Sequence, residues 1–555
     1  MVIELPTGYY LRNFIELIDY VAQQYDDLLC ASERHFYQQF HQLSQPAQML
    51  YVRMLTRKGS VFRGCKLQYD EIGDTADAAL ALQNAGLITI NDNADKAELS
   101  IGDVLPLFTK PEWLGLLAGL DIDSVLMKKL KALKRADLDT AILSLASAQQ
   151  RAIMDAIDEA IYANADGQSF ATFKLLFFGN SHQDLTEFVL RDLGLYRFED
   201  YHIDKDSRLF ASRQQIEKYL DYYQQIDDLE NILTQNVEEI LTLHQALPKA
   251  ALQDKTLDRR IQRVTLTLAR QLERLDALDE ALAIYQQCEL PPARERSARI
   301  LVKQQHIDQA LAICRQIMQA PLGEEEAVFG LEFGARTAKK FKQSWPVLDK
   351  YQPKTETITI EQSGLGVEAD TALYFSQFGQ CYFVENALFC SLFGLHYWQL
   401  IFAPVSGAFT NPFQARPHDL YSREFLANRQ DLFDQAQLRL TNLAEHREDY
   451  LALWQQKFGT ATPFVHWDSL DEALISKALE RIPADHWQQI FARLWSDLRA
   501  NRSGFPDLIL FPDEGGYELV EVKGPGDKLQ KNQLRWMEYF DQCGVGHRVL
   551  NVKFF

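Results

Sequence analysis

The stretch GFPDLILFPDEGGYELVEVKGPG, residues 504–526, decides how the C-terminal part of the chain folds. Its two short apolar runs flank the turn-forming segment 512–516, and this pattern predicts a β-hairpin. Because side chains alternate along a strand, Glu521 and Lys523 should project from one face of the second strand. Asp507 begins the first strand, so we expect its carboxylate to lie beside them.

Two carboxylates and an ammonium group at one point suit the hydrolysis of a phosphodiester. Carboxylate oxygens bind Mg²⁺ or Mn²⁺, and such an ion lowers the pKa of a bound water and neutralises charge on the phosphate. Lys523 can orient or deprotonate that water, and the backbone carbonyl of Val522 is a further candidate ligand. We therefore predict catalytic roles for Asp507, Glu521 and Lys523, with both acids as metal ligands. The alternative is an ordinary exposed hairpin with a surface Glu–Lys pair.

The order of turn and charged residues in this hairpin resembles a known nuclease signature. The matching features are a Pro-Asp strand start, a Gly-Gly turn, Glu-Val-Lys at the end of the next strand and Gly-Pro-Gly after it. Together they resemble the PD-(D/E)xK pattern, and LVEVKGP at residues 519–525 resembles its VRR-NUC branch. The resemblance implies a restriction-endonuclease-like α/β domain that uses Mg²⁺ or Mn²⁺.

The residues after the hairpin predict a helix and a last strand. An apolar stripe at helical spacing runs through residues 529–543, and Gln533 lies on it. A polar side chain on a core-facing stripe needs a partner. In the family that the hairpin resembles, the corresponding Gln lies beside the active site, and the alternative is a Gln bonded to a loop carbonyl. Residues 547–555 alternate as a final strand.

The composition indicates a multidomain globular protein. A chain of 555 residues is expected to form three or four domains, and 47% hydrophobic with 24% charged residues is ordinary for this class. Seven scattered cysteines without a Cys-x-x-Cys pair favour reduced thiols and argue against structural zinc. No signal-peptide pattern begins the chain, and the apolar stretch 386–409 contains His396 and Pro404, which favours a buried helix over a membrane span. We therefore expect an intracellular protein that, if bacterial, is cytoplasmic and associated with the nucleoid.

A net charge of −20 requires that any DNA-binding function rest on local basic patches. The first patch contains five basic residues and no acid: Arg53, Arg57, Lys58, Arg63 and Lys66. Together with KLQYDEI at residues 66–72, this segment resembles the N-terminal DNA-contacting region of the Fanconi-anaemia-associated nuclease family. The resemblance implies that the five side chains contact DNA, and the alternative is a solvated helix face.

Residues 111–135 predict two helices joined by an extended turn. The second helix is basic and includes Lys128 and Lys129. This arrangement resembles a SAP-type DNA-binding module, which implies that both lysines contact DNA. A soluble Lys-rich helix is the alternative.

A helical repeat is predicted between residues 206 and 345. LDEALAI at residues 278–284 recurs as IDQALAI at residues 307–313, an offset of 29 residues. Small Ala residues at matched positions allow paired helices to pack closely, and the pattern resembles a short tetratricopeptide-like repeat. Such arrays bind proteins or act as spacers. We favour a spacer, with a protein partner on the repeat as the alternative.

The residues after 366 resemble the opening helices of the family's nuclease domain. Such nucleases often carry an additional acidic metal ligand on a preceding helix. Glu385, at the head of the apolar helix predicted within residues 382–398, is the first candidate, because an unpaired carboxylate there is costly. Glu368 is the second candidate. The alternative for both is a favourable charge at the positive end of a helix.

Two arginines just upstream of the hairpin are candidate phosphate ligands. Arg499 and Arg502 precede Asp507, and a guanidinium fork suits a phosphate group. Carboxylate pairing at the surface is the alternative.

Together these features predict a mainly α, multidomain protein with a C-terminal α/β VRR-NUC domain. The family resemblance implies a metal-dependent, structure-specific DNA nuclease that cuts 5′ flaps and digests from 5′ ends in interstrand-crosslink repair, with branched DNA as partner. No ubiquitin-binding finger of the eukaryotic kind is apparent. A Holliday-junction or restriction-type endonuclease and a non-catalytic repair scaffold are the alternatives. The predicted domains are 1–75 (helical, DNA-binding), 76–165 (SAP-like or winged-helix-like), 166–365 (helical linker and repeat) and 366–555 (nuclease).

Overall fold

The computed structural model describes residues 7–91, 99–120, 124–194, 197–234, 236–248, 254–346 and 350–555. The chain forms two compact units, Met1–Leu195 with Asp204–Leu220, and Tyr196–Ile203 with Asp221–Phe555. Within the described ranges, no helix is long and apolar enough to cross a membrane.

The first unit is mainly helical and contains one small sheet. Its strands β1 (Val61–Arg63), β2 (Ile88–Asn91) and β3 (Ile161–Asn164) pair antiparallel in the order β1-β3-β2. The sheet therefore takes strands from either side of the predicted boundary at residue 75. The helices that begin in this unit are α1 (Tyr9–Tyr25), α2 (Ala31–Gln42), α3 (Gln45–Leu55), α4 (Thr75–Asn84), α5 (Ile101–Val104), α6 (Lys110–Ala118), α7 (Ser124–Ala132), α8 (Arg135–Leu143), α9 (Ser147–Asp155), α10 (Gly167–Phe178), α11 (Thr186–Asp192) and α12 (Arg213–Ile226).

The second unit opens with the predicted helical repeat. Its helices are α13 (Leu229–Ile232), α14 (Val237–Ala246), α15 (Lys255–Arg274), α16 (Leu278–Tyr285), α17 (Ala293–Lys303), α18 (Ile307–Gln319) and α19 (Glu324–Lys340). The two copies of the repeated motif begin α16 and α18. Ala281 and Ala310 are fully buried, as small residues between closely packed helices should be.

A five-stranded mixed sheet organises the rest of this unit. Its strands are β4 (Thr355–Ile360), β5 (Gly379–Phe383), β6 (Leu508–Pro512), β7 (Glu518–Lys523) and β8 (His547–Phe554), in the order β4-β8-β7-β6-β5. The predicted hairpin is confirmed, because β6 and β7 pair antiparallel, and β8 pairs parallel with β7. Strand β4 lies before residue 366, where the nuclease domain was predicted to begin, and the domain boundaries remain predictions.

Helices cover both faces of this sheet. The helices of this part of the unit are α20 (Val367–Phe375), α21 (Ala387–His396), α22 (Trp398–Ile401), α23 (Gln430–Arg439), α24 (Arg447–Lys457), α25 (Glu472–Arg481), α26 (Ala484–Ser496) and α27 (Lys531–Cys543). Phe375 of α20 packs with Val520 and Val522, whereas Trp536 of α27 packs on the opposite face with Leu519. Strand β6 is buried from Leu508 to Phe511, and its sequence is accordingly a continuous apolar run.

The apolar stretch 386–409 forms the buried helices α21 and α22. The sequence interpretation extended this helical segment back to Tyr382, and that was wrong. Tyr382 and Phe383 end strand β5, where they pair with Ile509 and Leu508. Strand β5 is therefore the edge strand beside the hairpin.

Candidate active site

The hairpin brings the three predicted catalytic side chains together. Lys523 Nζ lies 2.6 Å from Glu521 Oε1, and Gln533 Nε2 of α27 donates to the same oxygen at 2.6 Å. The Oδ2 atom of Asp507 accepts a hydrogen bond from the backbone N–H of Val522 at 2.9 Å. Gln533 therefore lies where the family resemblance places it, although the carbonyl of Val522 as a ligand remains a prediction.

Glu521 is held in an environment that disfavours its negative charge. The side chain is fully buried, and among the described residues its Oε2 atom finds no hydrogen-bond partner. Burial raises the pKa of Glu521 to about 8, and the nearby Asp507 carboxylate adds to this rise. Burial also raises the pKa of Asp507 to about 6. The Lys523 ammonium lowers both pKa values without offsetting burial.

Glu385 approaches the same centre from the end of β5. The backbone oxygen of Asp507 accepts hydrogen bonds from the N–H groups of Val384 at 2.8 Å and Glu385 at 3.0 Å. Glu385 has a φ of 30°, which is uncommon for a residue with a side chain and costs conformational free energy. The charge of Glu368 on α20 raises the pKa of Asp507, and the charge of Glu385 adds to this rise. Both predicted additional acids therefore lie near Asp507.

A side-chain amide fixes the conformation around Glu385. Asn386 Nδ2 donates to Glu385 Oε1 at 3.0 Å. The Oδ1 atom of Asn386 accepts hydrogen bonds from the N–H groups of Gly504 at 2.8 Å and Phe505 at 3.2 Å. Gly504 has a φ of 98°, and a Cβ at this position would lie 2.7 Å from the backbone of Asn532, so glycine is required there. The segment before Asp507 is thus tied to the segment that carries Glu385.

The acidic centre suits an oxygen-preferring divalent ion. As the side chains stand, no group of three or more His, Cys, Asp or Glu residues in the described ranges is arranged to hold a metal ion. Glu521 Oε1 is engaged by Lys523 and Gln533, whereas Oε2 keeps an unmet bonding capacity. Carboxylates are the ligands that Mg²⁺ and Mn²⁺ prefer, and an ion at Oε2 would satisfy this atom. Asp507 and Glu385, whose charges both act on Glu521, are the candidate additional ligands.

The arginine cluster, which we define as Arg263, Arg416, Arg499 and Arg502, lies in the same unit. Three of its guanidinium groups surround the ring of Tyr421, at 4.5 Å for Arg499, 4.8 Å for Arg416 and 5.8 Å for Arg502. Burial lowers the pKa of Arg263, and the charge of Arg499 lowers it further. Arg499 also lines a cleft of about 490 Å³ together with Lys531 and Arg535.

The imidazole of His466 is influenced by charges from both the arginine cluster and the acidic centre. Burial lowers its pKa, Arg502 adds to this effect, and the charge of Glu385 opposes it. Arg502 and Glu385 therefore both influence the pKa of one imidazole. Sequence reasoning selected Arg499 and Arg502 but missed Arg263, Arg416, Tyr421 and His466. The run Arg259-Arg260-x-x-Arg263 on α15 was the available sequence signal for one of them.

The N-terminal basic patch has a different character. Arg53 donates to Glu71 at 2.7 Å, and its guanidinium carbon lies 4.0 Å from the ring centre of Tyr10. Arg63 forms ion pairs with Glu112 at 2.7 Å and Glu159 at 2.8 Å, and only 12% of its side chain is exposed. The remaining predicted DNA ligands of the first unit are exposed, namely Arg57, Lys58, Lys66, Lys128 and Lys129.

Comparison with known proteins gives matches at both ends of the chain and along its length. The model of the VRR-NUC domain matches residues 442–554, and that of the FAN1 HTH domain matches residues 8–89. The Fanconi-associated nuclease 1 homolog of Pseudomonas aeruginosa is 34% identical over 549 residues, which cover 96% of this chain and 93% of that protein. Human Fanconi-associated nuclease 1 is 26% identical over 98% of this chain, which spans 62% of the human protein.

A solved structure matches the whole chain. It is the crystal structure of paFAN1 bound to 2nt 5′flap DNA with gap, at 32% identity and a TM-score of 0.80, covering 100% of each chain. A second crystal structure of paFAN1, bound to 1nt 5′flap DNA with gap, gives the same TM-score of 0.80. The mainly helical, multidomain architecture with a C-terminal nuclease domain is thereby confirmed.

Proposed function

Because the chain belongs to the Fanconi-associated nuclease 1 family, we propose that it is a structure-specific DNA nuclease of DNA repair that depends on a divalent metal ion. In finer detail, we propose that it cuts 5′ flaps and digests DNA in the 5′ to 3′ direction, with Mg²⁺ or Mn²⁺ as the ion. Interstrand-crosslink repair is the proposed setting.

One observation carries this proposal, namely the fully buried Glu521 with an unsatisfied Oε2 atom beside Asp507 and Lys523. A buried carboxylate with a raised pKa is costly for a fold and typical of a functional site. A cation is the partner that would relieve this cost. Within the described residues, Glu521 Oε2 is the one carboxylate oxygen among the buried side-chain atoms that have no hydrogen-bond partner, and carboxylate oxygens are the ligands that a divalent cation prefers.

Each residue of the centre has a role that follows from its contacts. Glu521 and Asp507 would hold the ion, with Glu385 as a third ligand. When bound, the ion supplies charge neutralisation at the phosphate and a more acidic water. As an ammonium group beside Glu521, Lys523 would orient that water by donating a hydrogen bond, and as a neutral amine it would accept the water's proton. Gln533 holds the Glu521 carboxylate in one orientation through its hydrogen bond.

The arginine cluster is the proposed binding surface for the DNA backbone next to the cut. Among the described residues, no carboxylate forms an ion pair with Arg416, Arg499 or Arg502, whereas neighbouring Arg429 is paired with Asp419. Guanidinium groups without carboxylate partners are suited to phosphates. Positive charge at this one surface also reconciles DNA binding with a net charge of −20.

Cleavage of a set of labelled DNAs tests this proposal. The full chain is incubated with a 5′ flap, a fork, a four-way junction and single-stranded DNA, each with Mg²⁺, Mn²⁺ or EDTA. We expect cutting near the flap with either ion and none in EDTA. Preference for the four-way junction would favour a resolvase, and binding without cutting under all conditions would favour a repair scaffold.

A further inference from the structure

Tyr421 is the point on which the arginine cluster converges. The guanidinium groups of Arg416, Arg499 and Arg502 all lie closer to its ring centre than the roughly 6 Å within which cation–π attraction acts. Three cations around one aromatic ring are unusual, because energetically significant cation–π pairs occur only about once per 70–80 residues. The ring is therefore a shared contact of three groups that repel one another.

The nearby carboxylates form ion pairs with other arginines, so they do not neutralise the three guanidinium groups around Tyr421. Arg259 pairs with Glu424 and Arg429 pairs with Asp419, but within the described ranges no ion pair involves the three arginines around Tyr421. Arg502 donates instead to the backbone oxygen of Pro463 at 2.8 Å, and its guanidinium lies between two rings, 5.6 Å from the centre of Phe464 and 5.8 Å from that of Tyr421. Like charges in this proximity disfavour one another, so the negative face of the ring is the attractive contact shared by all three.

Tyr421 is itself held firmly. Its ring packs partly buried against the large core of the nuclease domain, and the preceding Leu420 is almost fully buried. The same loop is fixed by a bidentate ion pair in which Arg429 donates to Asp419 at 2.7 and 3.1 Å. Because the loop is already fixed, the ring can hold the long arginine side chains without an additional loss of conformational entropy in the loop.

We propose that Tyr421 is a positioning residue for DNA binding, whose ring holds Arg416, Arg499 and Arg502 together as a ready surface for the phosphodiester backbone beside the acidic centre. This inference deepens the proposed function and rests on it. Tyr421 does not itself contact the reacting atoms. It reduces the repulsion among the three cations before DNA arrives, so that binding does not have to supply that free energy.

A series of fluorinated rings tests this role without changing shape. In the full chain with Glu521→Gln to prevent cutting, position 421 is replaced by Phe and then by mono-, di- and trifluorophenylalanine. Fluorine withdraws the negative charge from the ring face. We expect Phe to bind a fluorescent 5′-flap DNA like Tyr, and affinity to fall stepwise by about tenfold across the series. We also expect the log–log salt slope to weaken by roughly 0.9 for each arginine that no longer binds a phosphate.

The matched control is Phe333, whose ring lies 5.2 Å from the guanidinium of Arg299 in the helical repeat. Phe333→Leu removes a cation–π pair outside the arginine cluster and should leave DNA affinity and salt slope unchanged. Constant affinity across the fluorinated series would overturn the proposal, and so would Tyr421→Phe binding as weakly as trifluorophenylalanine. The fluorinated series is measured by DNA binding, whereas the proposed function is tested by cleavage with the wild-type chain. A failure of one can therefore be distinguished from a failure of the other.

Discussion

The acidic centre and the N-terminal basic patch both concentrate charge, but their charged groups differ in how well they are satisfied. Arg63 donates to two carboxylates. Arg53 donates to Glu71 through one nitrogen, while its buried Nε has no hydrogen-bond partner among the described residues. Glu521, in contrast, is fully buried with one oxygen unpartnered among the described residues. A fully buried carboxylate oxygen that lacks a partner beside a second buried acid indicates where a cation would complete the structure. A run of charges in the sequence does not, because distant partners neutralise some of its members.

The sharpest test of this comparison replaces the three side chains of the acidic centre, one at a time. Glu521→Gln, Asp507→Asn and Lys523→Met should each lower kcat on a 5′ flap by on the order of a thousandfold, while flap affinity stays nearly unchanged. The control is Glu518→Gln on the opposite face of β7, where Glu518 pairs with Arg548. Single-turnover cleavage and fluorescence anisotropy measure both effects. Cutting at the wild-type rate by a folded Glu521→Gln protein would remove Glu521 from the centre.

Replacement of the two additional acids, Glu385 and Glu368, should lower activity to different extents. Glu385→Gln should lower activity by about a hundredfold at limiting metal, with partial recovery at high Mn²⁺, because its backbone is bonded to Asp507 and its charge acts on that carboxylate. Glu368→Gln should cost less, since only its charge reaches Asp507. Titration of activity against metal concentration distinguishes them. Equal metal dependence of Glu385→Gln and wild type would exclude Glu385 as a ligand.

Satisfied and exposed cations should respond differently within the N-terminal patch. Arg63→Gln should reduce the free energy of unfolding by about 1–2 kcal/mol, because two carboxylates lose their partner, and should leave the salt slope of DNA binding unchanged. Combined replacement of the exposed Arg57, Lys58 and Lys66 by Gln should instead flatten that slope by roughly 0.9 for each phosphate that these side chains bind, with little effect on stability. Thermal unfolding measures the stability, and fluorescence anisotropy at several salt concentrations measures the slope. The comparison would be wrong if Arg63→Gln flattened the salt slope and the triple variant lowered the stability.

A smaller effect follows from the raised pKa values of the acidic centre. Burial places the pKa of Glu521 at about 8 and that of Asp507 at about 6, above their ordinary values of 4.5 and 3.8. Such groups favour the folded state while protonated, and this contribution is lost as the pH rises through the folded-state pKa. In EDTA, the melting temperature should therefore fall between about pH 4 and pH 8. In Glu521→Gln, the melting temperature should not fall near the upper end of this pH range. Identical melting profiles of the variant and the wild type would contradict a raised pKa at Glu521.

The hairpin and its catalytic residues could be predicted because their signals are local. Turn residues, strand alternation and the order Asp507, Glu521, Lys523 all lie within one short segment. Strand β5 could not be predicted in the same way, because five residues gain strand geometry only by pairing with β6. Strand β4 likewise depends on parallel pairing with β8, which lies far later in the chain.

The arginine cluster shows a second limit of sequence reasoning. Arg263, Arg416, Tyr421 and Arg499 are spread along the chain, and no local pattern marks their meeting. The pairing of Arg63 with Glu112 and Glu159, 49 and 96 residues away, is equally invisible in the sequence. Side chains that meet through tertiary structure therefore need the fold before a role can be assigned.

Manganese binding tests the central claim most directly, because the proposed chemistry depends on a metal ion at Glu521. Electron paramagnetic resonance of free Mn²⁺ measures how much ion the full-length wild type, Glu521→Gln and Glu518→Gln bind at neutral pH. We predict tight binding by the wild type and by Glu518→Gln, and loss of the tight site in Glu521→Gln. Equal binding by all three folded proteins would contradict a metal site at Glu521.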